Sequence, residues 1–157
     1  MNLKKIITTL SFLLLLSCGY EPIYSKKQSN SNYNFSINSI NYIGDNRVDE
    51  ILKIKLKKII NKEEKSTGLN LNLNSTLIKV ITSKDKNGNP NRFSIKIIIN
   101  LEIFEGKISK GNKNFEEKFE YNNKSKKFDL EQYEKNIKNN LISGLSDEII
   151  GYLNSIR

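Results

Sequence analysis

Phe93, Ile95, Ile97, Ile99, Leu101 and Ile103 fall at every second position, while Ser94, Lys96, Asn100 and Glu102 share the intervening positions with Ile98. Side chains of a β-strand alternate between faces, so this run is a strand with one apolar and one largely polar face. Leu69, Leu71 and Leu73 alternate with Asn70, Asn72 and Asn74 in the same way and continue, less regularly, through Leu77, Val80 and Ile81. The change of phase near Ser75 and Thr76 predicts a bulge. Between the two strands lies a polar break, residues 84–91, whose Asn87-Gly88 pair suits the positive φ angles of a tight hairpin. Gly106 and Gly111 punctuate a second hairpin, after which Phe115, Phe119 and Tyr121 alternate with Glu116, Lys118 and Glu120. Ahead of all these, Tyr33, Phe35 and Ile37 alternate with Asn34, Ser36 and Asn38, predicting a strand that runs to about Ile43.

Two segments change the period from two to 3.6. After Gly44, with Asp45 or Asn46 as cap, Val48, Ile51, Leu52, Leu56, Ile59 and Ile60 recur at helical spacing, opposite Lys53, Lys57, Lys58 and Lys62. This predicts a helix of about four turns ending before Thr67 and Gly68. The last helix is predicted to start at Asp129, with Gln132 completing a capping box. Its apolar stripe is Leu130, Tyr133, Ile137, Leu141, Leu145, Ile149, Tyr152, Leu153 and Ile156. The order β-α-β-β-β-α, with half-polar strands and amphipathic helices, implies an α+β two-layer sandwich: a four-stranded sheet with two helices on one face. The other face is expected to be polar, lined by Asn, Ser, Lys and Glu.

The 157 residues include no histidine and a single cysteine, Cys18. That composition excludes an internal disulfide, a Cys/His zinc site, a Cys/His dyad and a Ser/His/Asp triad. Carboxylates occur singly or in pairs such as Glu63-Glu64 and Glu116-Glu117, and no Walker phosphate loop is present. The reading is therefore non-enzymatic, with no cofactor and no metal. The formal net charge of +9 calls for discounting, because Lys, Ile and Asn occur 23 times each and all three have AT-rich codons.

Residues 1–17 have the anatomy of a secretory signal. Lys4 and Lys5 form its basic start, and residues 6–16 are apolar apart from Thr8, Thr9 and Ser11. Eleven residues of helix span only ~16 Å, about half of a hydrocarbon core. The stretch ends in Leu15-Leu16-Ser17-Cys18-Gly19, which resembles a bacterial lipobox. Cleavage before Cys18 and acylation of its thiol would give a lipid anchor, since each buried methylene contributes ~0.8 kcal/mol and two chains hold stably. Gly19, in place of an aspartate, implies sorting to the outer membrane, facing the periplasm. Loss of Lys4 and Lys5 lowers the formal charge to +7. Residues 18–32 form the lipidated start and a tether, with no apolar residue from 25 to 32, and residues 33–157 form a single domain.

Three basic groups stand out: Lys84, Lys86 and Arg92 around the first hairpin; Lys124, Lys126 and Lys127 before the last helix; Lys53, Lys57 and Lys58 on the first helix. A solvated face accounts for any one of them, and phosphate binding is the functional alternative. An envelope location sets nucleic acid aside and leaves anionic lipid or lipopolysaccharide phosphate as the polyanion.

The start of the mature chain, Cys18-Gly19-Tyr20-Glu21-Pro22-Ile23-Tyr24, resembles the Cys-Gly-aromatic-x-Pro-Leu-Tyr start of LptE-type lipopolysaccharide-assembly lipoproteins, especially their alphaproteobacterial branch. Phe119-Glu120-Tyr121-Asn122 is similar to the Ser-Tyr-Asn that closes that family's fourth strand, with Phe119 in place of the small residue. The resemblance implies a partner, the outer-membrane β-barrel LptD, which such proteins enter as a plug while assisting its assembly and the delivery of lipopolysaccharide to the cell surface. It also implies lipopolysaccharide binding at Lys84, Lys86 and Arg92, by region. A second reading keeps the anchor and the sandwich without a barrel: a periplasm-facing accessory lipoprotein of an envelope enzyme or transport complex.

Overall fold

Burial of one strand face organises the chain. The computed structural model describes residues 35–60 and 68–156. Its elements are β1 (Ile37–Gly44), α1 (Asn46–Leu56), β2 (Leu69–Lys84), β3 (Pro90–Glu105), β4 (Ile108–Asn122) and α2 (Lys127–Ser155). The sheet order is β1-β2-β3-β4, with β1 parallel to β2 and the other neighbours antiparallel. A parallel pair needs a crossover, and α1 supplies it. The expected α+β fold, with its order β-α-β-β-β-α, is the observed one.

Both helices cover the face that carries Ile37, Leu71, Leu73, Ile95, Ile97, Ile99, Leu101 and Ile103, each no more than 1% exposed. Val48, Leu52 and Leu56 of α1 and Ile142, Leu145, Ile149 and Leu153 of α2 complete the same core. Fully burying one such side chain contributes ~1.5–3 kcal/mol, which fixes the register of each strand, since a one-residue slip would turn every apolar group to solvent. The opposite face is polar toward the β3–β4 turn, where Asn72, Asn74, Asn100, Glu102, Asn112 and Asn114 line a shallow depression, and carries the exposed Ile78 and Val80 toward the β2–β3 hairpin.

Three expectations need correction. The β2–β3 register runs without interruption from Leu69 opposite Glu105 to Ile81 opposite Phe93, so no bulge lies at Ser75 and Thr76. The hydrophobic phase breaks there because two inward positions are polar and have partners. Ser75 Oγ donates to Asp49 Oδ1 of α1 at 2.6 Å, and Lys79 Nζ donates to Glu134 Oε1 of α2 at 2.6 Å. A bulge does occur in β1, between Ile37 and Ser39, and it carries Ile40 and Tyr42 onto the inner face after Ile37. The first helix is shorter than its apolar spacing implies: Lys57–Ile59 tighten into a 3-10 turn, and Ile60 pairs with Ile37 as an isolated bridge. The capping box also fails. α2 starts at Lys127, two residues ahead of Asp129, and its cap position Lys126 makes no side-chain cap bond.

The turn from β1 into α1 shows why Gly44-Asp45 stands there. Gly44 has φ +141°, and a Cβ would lie 2.1 Å from the Ser75 carbonyl oxygen, so only glycine fits. Asp45 then caps α1, accepting from the backbone N–H of Arg47 at 3.0 Å and of Val48 at 3.4 Å. The Arg47 guanidinium, bonded to the same carboxylate at 2.8 Å, holds the Asp45 carboxyl below its ordinary range. Replacing Asp45 with alanine removes the cap and is expected to lower stability by about 1 kcal/mol, read as a lower urea midpoint at unchanged slope.

Candidate functional site

The β2–β3 hairpin is built around one carboxylate. Asp85 accepts from the N–H groups of Asn87 (2.9 Å) and Asn89 (2.8 Å) and from the Asn89 side chain (3.2 Å). These bonds, led by those from Asn89, lower its pKa. Gly88 turns the chain at φ +83°. Lys84 and Lys86 are exposed on this hairpin, and Arg92 stands just inside it, opposite Asn122 of β4.

What the sequence leaves separate, the fold joins. Asn123, at the exit of β4, donates its backbone N–H to the Asn91 carbonyl and its side-chain amide to the Pro90 carbonyl, both at 2.8 Å. These two bonds fasten the β4–α2 connection, with Lys124, Lys126 and Lys127, against the base of the hairpin carrying Lys84, Lys86 and Arg92. Two of the three basic groups thus occupy one end of the molecule. The third does not join them: α1 runs back from Gly44 beside Ser75 toward Ile60 beside Ile37, carrying Lys53, Lys57 and Lys58 toward the other end of the sheet. Apolar side chains are exposed at the joined end, Phe128 at 68% and Ile81 at 47% among them.

A cation-aromatic column supports this end. Lys124 Nζ lies 4.2 Å from the Tyr133 ring centroid, Tyr133 meets Tyr121 edge-on at 5.9 Å, and Tyr121 stacks on Phe93 at 5.6 Å. Lys79 Nζ sits 4.8 Å from the Phe93 ring centroid. Glu134, largely buried on α2, accepts from both Lys79 and the Tyr121 hydroxyl, the latter at 2.8 Å. Contacts of this kind contribute ~0.5–1.5 kcal/mol each, and hydrogen bonds to a charged group ~1.5–3 kcal/mol. No sequence pattern singles out Lys79, Tyr121 and Glu134 as a group, because an inward lysine on a strand and a glutamate on a helix's apolar side become legible only as partners. The arrangement gives a rigid base under a cluster of exposed ammonium groups. Among the described residues no group of acidic, Cys or His side chains is arranged to hold a metal ion. Cys18 and the segments 1–17 and 18–32 lie outside the described residues. Among the described residues no helix is long and apolar enough to cross a membrane.

No protein-family model matches the chain, and comparison with curated sequences finds no match. Solved structures do match. Rare lipoprotein B from Shewanella oneidensis superposes with a TM-score of 0.59 at 12% identity, over 75% of this chain and 95% of that one. A minor lipoprotein from Acinetobacter baumannii gives 0.58 at 9%, over 77% and 93%. Lipoprotein B from Nitrosomonas europaea gives 0.52 at 7%, over 73% and 82%. The chain therefore shares the fold of bacterial lipoproteins of the rare lipoprotein B type.

Burial raises the pKa of the Tyr42 phenol to about 12, assisted by the charge of Asp49, and burial followed by the Glu134 bond raises that of Tyr121 further. Both favour the protonated phenol in the folded state, whereas the unfolded chain titrates near 10.0. Their contribution to stability is complete below pH 10 and is lost as pH rises through the folded values. Urea titrations are expected to show stability falling from about pH 10 upward, with a shallower fall in Tyr42→Phe. At pH 7 Tyr42→Phe should cost almost nothing, because its buried hydroxyl has no hydrogen-bond partner among the described residues. Tyr121→Phe should cost about 1.5–3 kcal/mol, because it strips a hydrogen bond from Glu134.

Proposed function

We propose that this chain is a non-enzymatic outer-membrane lipoprotein of the LptE type, in its alphaproteobacterial form. It is held by acyl groups on Cys18 and acts as a plug and assembly partner of an LptD-like β-barrel that delivers lipopolysaccharide to the cell surface. The observation that carries the reading is the joined basic end. Lys84, Lys86 and Arg92 gain Lys124, Lys126 and Lys127 as neighbours through the two Asn123 bonds. Clustered ammonium and guanidinium groups beside exposed apolar side chains match an amphiphile that carries phosphates on an acylated sugar. The likeness of fold to rare lipoprotein B supports the same reading. So does the polar outer sheet face, since large barrels enclose polar, water-filled interiors.

The phosphate part of the proposal is tested on the purified protein. Charge reversal of Lys84, Lys86 and Arg92 together is expected to weaken lipopolysaccharide binding by at least about tenfold, and binding should fall steeply with salt. Unchanged binding would refute the assignment. All three residues are exposed, so the fold, checked by circular dichroism, should persist. The anchor and the partner are tested separately. Cys18→Ser is expected to release the protein from the outer-membrane fraction. Affinity purification of the lipidated protein should recover a stoichiometric barrel; recovery of a synthase or transporter subunit in its place would favour the accessory-lipoprotein reading.

A further inference from the structure

β1 covers only part of its neighbour. Its pairing with β2 ends at Gly44 opposite Ser75, whereas β2 continues to Lys84. Beyond Ser75, among the described residues, no strand pairs with that side of β2. The backbone direction follows from two bonds on the β1 side: Leu69 N–H donates to Ser36 O at 2.8 Å, and Ser75 O accepts from Asp45 N–H at 3.2 Å. Odd-numbered residues of β2 therefore aim their N–H and C=O groups toward β1. Leu77, Lys79 and Ile81 repeat that direction with no strand among the described residues to meet them, while the β3 ladder occupies the other side.

The side chains of this stretch also lack the usual protection of an edge. Ile78, Val80 and Ile81 are 39%, 48% and 47% exposed. The one charge between residues 76 and 81, Lys79, is 40% exposed, and its ammonium is bonded to Glu134 of α2. The other edges are guarded. β4 carries Lys113, Glu116, Glu117, Lys118 and Glu120 in close succession, and β1 is short and bulged. Residues 76–81 span ~20 Å, the length of an ordinary strand.

We infer that this free edge of β2 is a strand-addition site, and that its occupant is an extended segment of a partner protein. That segment would carry apolar side chains at alternate positions and carboxylates at the end that meets Lys84 and Lys86. Main-chain bonds to Leu77, Lys79 and Ile81 would supply affinity, and contacts with Ile78, Val80 and Ile81 selectivity. The charge of the site selects this occupant. A second copy would bring together two like-charged chains, each with a formal net charge of +9 over the full sequence, and would supply no carboxylate-rich end to meet Lys84 and Lys86. The chain's own residues 25–32 have no apolar side chain to place on the edge. The inference is independent of the barrel and of lipopolysaccharide, and its test uses neither.

Amide hydrogen exchange, followed by NMR on the purified full chain in detergent, reads the edge directly. In dilute protein the amides of Leu77, Lys79 and Ile81 should exchange quickly, while those of Ile78 and Val80 are slow. Protection of the three at all concentrations would mean that the chain covers its own edge. Protection that grows with protein concentration would mean a second copy. Either result overturns the inference. The probe is a synthetic peptide of alternating valine and threonine with glutamates at each end. It should protect those three amides, and the same peptide N-methylated at alternate residues should not. Ile81→Pro removes an edge N–H without touching the β3 ladder and should weaken peptide binding about tenfold, the equivalent of one main-chain hydrogen bond. Equal binding of the methylated peptide, or no binding by either, would refute strand addition.

Discussion

β3 has one face that water does not reach from Ile95 to Ile103, and the molecule is arranged to keep it that way. A sixteen-residue strand is longer than any single covering element can shield alone. α2, with 29 residues and a length of ~43 Å, runs along most of it, and α1 covers the part nearest β1. The two helices meet the sheet through polar bonds as well as apolar contact. Ser75 ties α1 to β2 through Asp49, and Lys79 ties α2 to β2 through Glu134. Buried Ser75 would be costly alone and is stabilising with its partner, and the partly exposed Lys79 adds an ion pair, so both helices are positioned against the strand they share.

Unequal strand length follows from this design and decides what the surface offers. Because β1 stops level with Ser75, the hairpin half of the sheet has, among the described residues, three strands rather than four. That half carries the basic end, the exposed Phe128 and Ile81, and the stretch of β2 beyond its pairing with β1.

Part of the candidate site is legible in the sequence. Lys84, Lys86 and Arg92 stand out as a group because a hairpin of Asn87-Gly88 brings near neighbours together over a few residues. Their union with Lys124, Lys126 and Lys127 is not legible there, because it depends on Asn123 reaching the carbonyls of Pro90 and Asn91 across more than thirty residues of chain. Lys79 and Glu134 are opaque for the same reason. A lysine in an apolar alternation looks like a break in pattern until its carboxylate partner, 55 positions away, is in place.

The sequence by itself determined the class of fold and the element order. Periodicity is a local property, and Phe93 to Ile103 or Leu130 to Leu153 declare which face is buried without reference to anything distant. It also determined that the chain has no histidine and only one cysteine, which is a matter of counting. Only the tertiary structure decided where β1 stops along β2, which basic groups share an end, and which side of β2 the backbone groups of Leu77, Lys79 and Ile81 face. Those outcomes depend on register and on bonds between residues far apart in the chain, set when the helices close over the apolar face.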